Sequence, residues 1–295
     1  MEPSDISGVF NVRKKYPNGK VDIICDSTIN PTNGYKKIIR NLTSLDGTTT
    51  KYRYENAPDG DSLLEYQITD KNGKNLMNYS NTFEKISDNH FVSSRNDKKY
   101  DIKIKDDEIA IKDLKNKKTA QINLNNFTQG TQKELLPLLK QMPGDELIRL
   151  KECGLKNIRY DNSTRAYYNP KENEICIGGA HQDIAILLHE CGHAKDELVF
   201  KEISEEINKD TPLREIYNEE KQNFRNNFSD AQLGLIDYFI GDVHYKGRDN
   251  AIIEGLAETN SLLNTCPQNN IQSARSLYWQ QYFPRTISYL APLLN

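Results

Sequence analysis

The residues of this chain best suited by type and spacing to do chemistry are His189-Glu190-Cys191-Gly192-His193. On an α-helix, residues i and i+4 point the same way one turn apart, so two imidazoles placed there can share one Zn²⁺ at about 2.0–2.1 Å. Glu190 projects about 100° round the helix from His189, where a carboxylate can hold a water beside the metal without necessarily ligating it. Zinc lowers the pKa of such a water to about 7, and the glutamate takes its proton as the oxygen attacks a carbonyl. The chain has only 5 His. Two of them four apart, with Glu following the first, arise by chance in about one in two hundred chains of this composition. Ile184, Leu187, Leu188, Ala194 and Leu198 keep helical spacing around the motif, which predicts a helix over Asp183–Phe200.

A catalytic zinc takes three protein ligands and leaves a position open. A metzincin would supply His three and six residues beyond the second motif His, but those positions hold Asp196 and Val199. The other source is a carboxylate on a later helix. In Glu254-Gly255-Leu256-Ala257-Glu258, the two glutamates share one helix face a turn apart. One can bind zinc and the other can accept the N–H of a ligating histidine. Gly255 would allow close helix–helix approach. Around the motif, His181 reads as a cap or surface residue, Cys191 should face away from the metal into packing, and Asp196 and Glu197 read as helix-surface carboxylates.

These motifs together resemble the gluzincin clan of zinc metallopeptidases, in which a glutamate from a later helix completes the site. Within that clan they are most similar to the anthrax lethal factor catalytic domain type. There H-E-x-G-H precedes a loop containing Tyr-Gly-Arg and a Glu-x-x-Ala-Glu helix. The matching residues here are His189, Glu190, Gly192 and His193, then Tyr245-Lys246-Gly247-Arg248, then Glu254-Gly255-Leu256-Ala257-Glu258. The likeness covers about residues 155–265. It implies a zincin-like fold, His189, His193 and Glu254 as zinc ligands, and Glu258 behind a ligating histidine. It also implies Tyr245 as hydrogen-bond donor to the transition state, with His244 a rival for that role. Two departures stand out: the stretch between His193 and Glu254 is longer than expected for that type, and Lys246 adds a residue to the loop.

The elements that must position these residues fall into two halves. From Gly8 to about Asn126, short β-branched and aromatic segments such as Thr50–Tyr54, Leu63–Thr69 and Lys99–Ile104 alternate with turn signals. Pro17-Asn18-Gly19, Asn33-Gly34, Asp46-Gly47, Asp59-Gly60 and Asn72-Gly73 are such signals, because Gly and Asn tolerate positive φ. The pattern predicts an antiparallel meander closed as a barrel or sandwich. His90 in this half reads as a turn residue. Near Thr128 the period changes. Helices are predicted over Thr131–Gln141 and from Asp145 to Cys153, a strand over Lys156–Tyr160, and a hairpin of Arg165–Tyr168 with Glu174–Ile177. After the motif helix come helices over Leu213–Phe228, Ala231–Ile240, Asn250–Asn264, Ile271–Phe283 and Thr286–Leu294. The expected organisation is therefore α+β: residues 1–127 an all-β domain, and residues 128–295 a mainly helical zincin-like domain with a small sheet.

A net charge of −3 carries no global basic field pointing to nucleic acid. The longest apolar runs, such as Ile184–Leu188, are far too short for a membrane span. The start, Met1-Glu2-Pro3-Ser4-Asp5, has neither a basic n-region nor an apolar h-region, so no signal peptide is expected in it, and a secreted or a cytoplasmic setting fits equally. Five cysteines, odd in number and widely spaced with no C-x-x-C, argue against a disulfide framework. The expected function is a zinc-dependent endopeptidase acting on a peptide or protein substrate, with Glu190 as general base. The alternative is a β-domain binding or adhesion module that carries an inactive or self-restrained metalloprotease-like domain.

Overall fold

A computed structural model of the chain describes residues 2–3, 9–15, 21–29, 35–105, 108–123, 128–129, 132–139, 141–142, 144–161, 165–178, 183–198, 212–227, 237–241, 251–266 and 270–294. Eleven strands form one antiparallel sheet in chain order. They are β1 (Glu2–Pro3), β2 (Val9–Lys15), β3 (Val21–Ile29), β4 (Lys36–Thr43), β5 (Thr49–Asn56), β6 (Ser62–Thr69), β7 (Asn75–Ser87), β8 (His90–Arg95), β9 (Lys98–Lys105), β10 (Glu108–Asp113) and β11 (Thr119–Asn123). The meander follows the turn residues. Asp46-Gly47 and Asn72-Gly73 both reverse the chain, with φ of 88° at Gly47 and 84° at Gly73, a region that glycine enters freely. Asn33-Gly34 and Pro17-Asn18-Gly19 lie outside the described residues.

The expectation of a closed barrel or a sandwich is corrected. The order runs from β1 to β11 without returning, so the sheet is open. The reason lies in what covers it. Along β6 the burial alternates, with Leu64, Tyr66 and Ile68 buried and Glu65 and Gln67 exposed, so a single face is apolar. Helices from the second half cover that face, and an antiparallel sheet covered on one side needs no second sheet and no closure.

The remaining strands, β12 (Thr128–Gln129), β13 (Asn157–Asp161), β14 (Tyr167–Asn169) and β15 (Glu174–Gly178), make a small sheet in the order β12-β13-β15-β14. The first three are mutually parallel, and β14 pairs antiparallel as the expected hairpin with β15. The helices are α1 (Gln132–Leu139), α2 (Gly144–Glu152), α3 (Ile184–Leu198), α4 (Pro212–Asn227), α5 (Ala251–Leu262), α6 (Asn270–Tyr282) and α7 (Pro284–Leu294). Pro284, read from sequence as a separator, is the first residue of α7, where its missing N–H costs nothing. Architecture of this kind is α+β, with a mainly helical second half around a small sheet.

Both apolar cores contain residues from either side of position 127. One joins Tyr52, Leu64 and Tyr66 of the large sheet to Leu256 and Trp279 of the helices and to Phe283 between α6 and α7. The other joins Ile102 and Ile109 to Leu139, Leu150, Leu187 and Leu188. Polar contacts cross the same line. The Tyr52 hydroxyl donates to the Thr265 carbonyl at 3.0 Å, and Arg40 Nη1 donates to Gln280 Oε1 at 2.5 Å.

Candidate metal centre

Helix α3 starts where Asp183 accepts the Ala185 N–H at 2.8 Å, satisfying one of the donors that a helix start leaves free. Its apolar face, with Leu187, Leu188, Cys191 and Ala194, is buried against the small sheet and α2. That leaves His189 and His193 together on another face, their ring centroids 4.9 Å apart and nearly perpendicular. Cys191 is fully buried on the packing side, and burial pushes its thiol well above the ordinary value.

Helix α5 lies against α3 at very short range. A Cβ on Gly192 would sit 2.5 Å from the Ala257 Cα, closer than side chains tolerate, so the fourth position of the motif has to be glycine. Asn260 Nδ2 donates to the Leu188 carbonyl at 2.7 Å and Ser261 Oγ to the Ala185 carbonyl at 3.0 Å, fixing α5 lengthwise. Gly255, expected to permit helix approach, instead makes room for the Trp279 indole of α6, which would meet a Cβ at 2.3 Å.

This packing brings Glu254 to the two imidazoles. Its Oε2 lies 3.3 Å from His189 Nε2 and 3.2 Å from His193 Nε2. Donors held at about 2.0–2.1 Å from one tetrahedral centre are about 3.3–3.4 Å apart, so both edges have the length a shared ion would set. The donor atoms of His189, His193 and Glu254 all lie within 4.8 Å of one another. Two imidazole nitrogens and one carboxylate oxygen suit zinc by chemistry as well as by distance.

The surroundings are strongly anionic. Glu190 is buried beside the centre, and its charge acts on both His189 and Tyr238. Glu258 Oε2 stands 3.5 Å from His189 Nδ1, on the far side of the ring from Glu254, and Ser276 Oγ of α6 donates to its other oxygen, Oε1. Burial works against a charge on His189, but hydrogen bonds to Glu254 and Glu258 prevail and raise it to about 10. Burial likewise opposes ionisation of Glu254, yet the two histidines hold it well below the usual carboxylate range. The same electrostatics favour a divalent cation at that point.

One residue at the centre carries no sequence signature. The Tyr238 hydroxyl lies 3.1 Å from His189 Nε2, its ring tilted 32° to the imidazole. Burial first, then Glu254 and the neighbouring carboxylates, hold this phenol protonated far above its usual value. Among the described residues, Tyr238 lies in helical residues 237–240, followed by Gly241. It is one of 16 Tyr, and only its place in the last turn before a glycine could have drawn attention to it. Tyr245 and His244, the donors implied by resemblance, lie outside the described residues, as does His181. Comparison with known proteins found no matching family model, no similar curated protein and no similar solved structure.

Proposed function

We propose that this chain is a zinc-dependent endopeptidase of the gluzincin type, its metal held by His189, His193 and Glu254. The observation that carries the reading is the single Glu254 oxygen set between two imidazole nitrogens at 3.3 and 3.2 Å. Zinc, when bound, supplies a Lewis acid that makes water a competent nucleophile near neutral pH.

The chain's own residues do the rest. Glu190, buried next to His189, takes a proton from the attacking water and passes it to the departing amine. Tyr238 stays protonated at all working pH values, and its hydroxyl donates to the carbonyl oxygen as that oxygen gains charge. Glu258 accepts the Nδ1–H of His189 and so fixes the tautomer that presents Nε2.

The test is metal analysis by mass spectrometry together with cleavage of a peptide library. Wild type should carry about one zinc per chain, and His193→Ala almost none. Glu190→Gln should keep the zinc and lose cleavage by a factor of about 10²–10⁴. Equal cleavage by wild type and Glu190→Gln, or a wild type that takes up no zinc, would refute the proposal. A binding module with an inert centre would keep its zinc and cleave nothing with Glu190 intact.

A further inference from the structure

Arg275, on α6 one residue before Ser276, is half-buried, and its guanidinium carbon lies 4.7 Å from the centroid of the Tyr238 ring. The same ring carries the hydroxyl that lies 3.1 Å from His189 Nε2. One side chain therefore separates a guanidinium from the metal centre.

Other sheltered arginines each meet an acceptor. Arg40 meets Gln280, Arg95 meets Asp145, Arg149 meets the Leu294 carbonyl, and Arg159 is shared by Asp161 and Glu174. Arg275 makes no ion pair or hydrogen bond among the described residues; its contact is with a ring face. Stacking on an aromatic ring holds a guanidinium in place while its planar fork of N–H donors stays available for a carboxylate.

The neighbouring carboxylates do not take up that fork. Glu254 is engaged with His189 and His193, and Glu258 with His189 and Ser276. Among the described residues, Arg275 is a half-buried cation beside a centre whose other charged side chains include Glu190, Glu254 and Glu258, and it can attract an anion there.

We propose that Arg275 is a specificity-determining residue that binds a substrate carboxylate next to the scissile bond. This rests on the reading of the centre as a peptidase. An extended peptide advances about 3.3 Å per residue, so the carboxylate belongs within about two residues of the reacting carbonyl. It can come from an aspartate or glutamate side chain or from a free C-terminus, since both offer the same two oxygens to the guanidinium.

The test uses the full-length zinc-loaded chain and peptide hydroxamates, which chelate zinc and need no cleavage. One pair differs only by Glu against Gln beside the chelating group, and a second only by a free against an amidated C-terminus. Affinities are measured by calorimetry. Wild type should bind the Glu or the free-acid member at least about tenfold more tightly than its neutral partner, and the pair that shows the preference identifies the source of the carboxylate. Arg275→Gln should bring that ratio to about one, and Arg275→Lys, which keeps the charge but loses the fork, should leave an intermediate ratio. Zinc content and circular dichroism check that each variant is folded and loaded.

Equal affinities within both pairs for wild type, or a preference that survives in Arg275→Gln, would overturn the proposal. If wild type takes up no zinc and binds none of the hydroxamates, the peptidase reading itself fails and this inference falls with it. That result is distinct from zinc-dependent binding that ignores the carboxylate.

Discussion

Helix α3 carries charged clusters on two sides, and they are built on opposite principles. On one side lie His189 and His193 with Glu254. On the other, Lys195 is fully buried and reaches Glu146 Oε2 at 2.5 Å, Asn260 Oδ1 at 3.0 Å and the Leu294 carbonyl at 3.2 Å. Those three acceptors match the three N–H donors of an ammonium. Glu146 also accepts from Asn260 Nδ2 at 3.0 Å, while Arg95 of β8 meets Asp145 at 2.9 Å and Glu146 at 3.8 Å. Here the Lys195 ammonium and its acceptors satisfy one another, and the charges of Lys195 and Arg95 are matched by Glu146 and Asp145. At the candidate metal centre, two imidazoles and a carboxylate converge on one point, held together by hydrogen bonds to Glu254 or by a cation in their midst. Burial of charge alone does not mark a candidate site; metal-ligating side chains converging on one point do.

The strongest way to break this contrast is to remove one partner of the closed cluster. Burial opposes ionisation of Glu146, but Lys195 and Arg95 hold it below the usual carboxylate range, so it stays charged in the interior. Lys195→Met should therefore cost about 3–5 kcal/mol in urea unfolding, the penalty for stranding a buried charge. Glu254→Ala should instead abolish zinc uptake and cost the metal-free protein far less. If the two variants destabilise equally, the clusters do not differ in kind.

Much of this was legible in the sequence, and the remainder was hidden for identifiable reasons. The turn dipeptides announced the meander, and the spacing of His189, His193, Glu254 and Glu258 announced which helices must meet. Alternation along β6 reports one buried face but not its cover, and from that pattern alone an open sheet under helices looks the same as a barrel or sandwich. Asp196, a surface carboxylate by its place in the sequence, is only 5% exposed, and Lys195, Glu146 and Arg95 are buried as well. A charged residue is exposed unless it is paired, and the pairing partners of Lys195 are far away in sequence. Tyr238 stayed hidden because proximity to the centre comes from tertiary packing and not from a local pattern.

Glu220 extends the comparison to an acid satisfied by neutral donors. It accepts the backbone N–H groups of Arg285 at 2.9 Å and Thr286 at 3.0 Å, and the Thr286 hydroxyl at 2.6 Å, capping α7. With no cation in direct contact among the described residues, burial prevails and raises it to about 7 from 4.5, the opposite of Glu146. The folded protein thus binds this proton more tightly than the unfolded chain does. Stability from this group is complete below pH 4.5 and declines as pH rises through about 7, with a total loss of about 3 kcal/mol at most. Thermal melts from pH 4.5 to 8 should show the decline, and Glu220→Gln should flatten it. An unchanged slope in that variant would assign the effect to another group.

Gly192→Ala tests whether the metal centre depends on the distance between α3 and α5. The added methyl meets the Ala257 backbone, which cannot swing aside as a side chain would. The expected cost is about 1–3 kcal/mol, with weaker zinc binding as Glu254 moves off the imidazoles. A melt lowered by that amount with unchanged zinc affinity would show that the ligands adjust independently of the helix spacing.

The smallest effect separates a ligand from the group behind it. Glu258→Gln keeps the size of the side chain and the Ser276 contact but removes the charge facing His189 Nδ1 at 3.5 Å. Without that carboxylate the imidazole is a weaker base and its tautomer is less firmly set, so zinc affinity should fall about 10–100-fold while one zinc per chain still binds at saturation. Glu254→Gln, in contrast, removes a ligand and should prevent stoichiometric binding. Competition with a chelating dye measures both. If Glu258→Gln loses the zinc entirely and Glu254→Gln retains it, the two glutamates have exchanged roles, and the carboxylate nearest both Nε2 atoms is not the one that binds the ion.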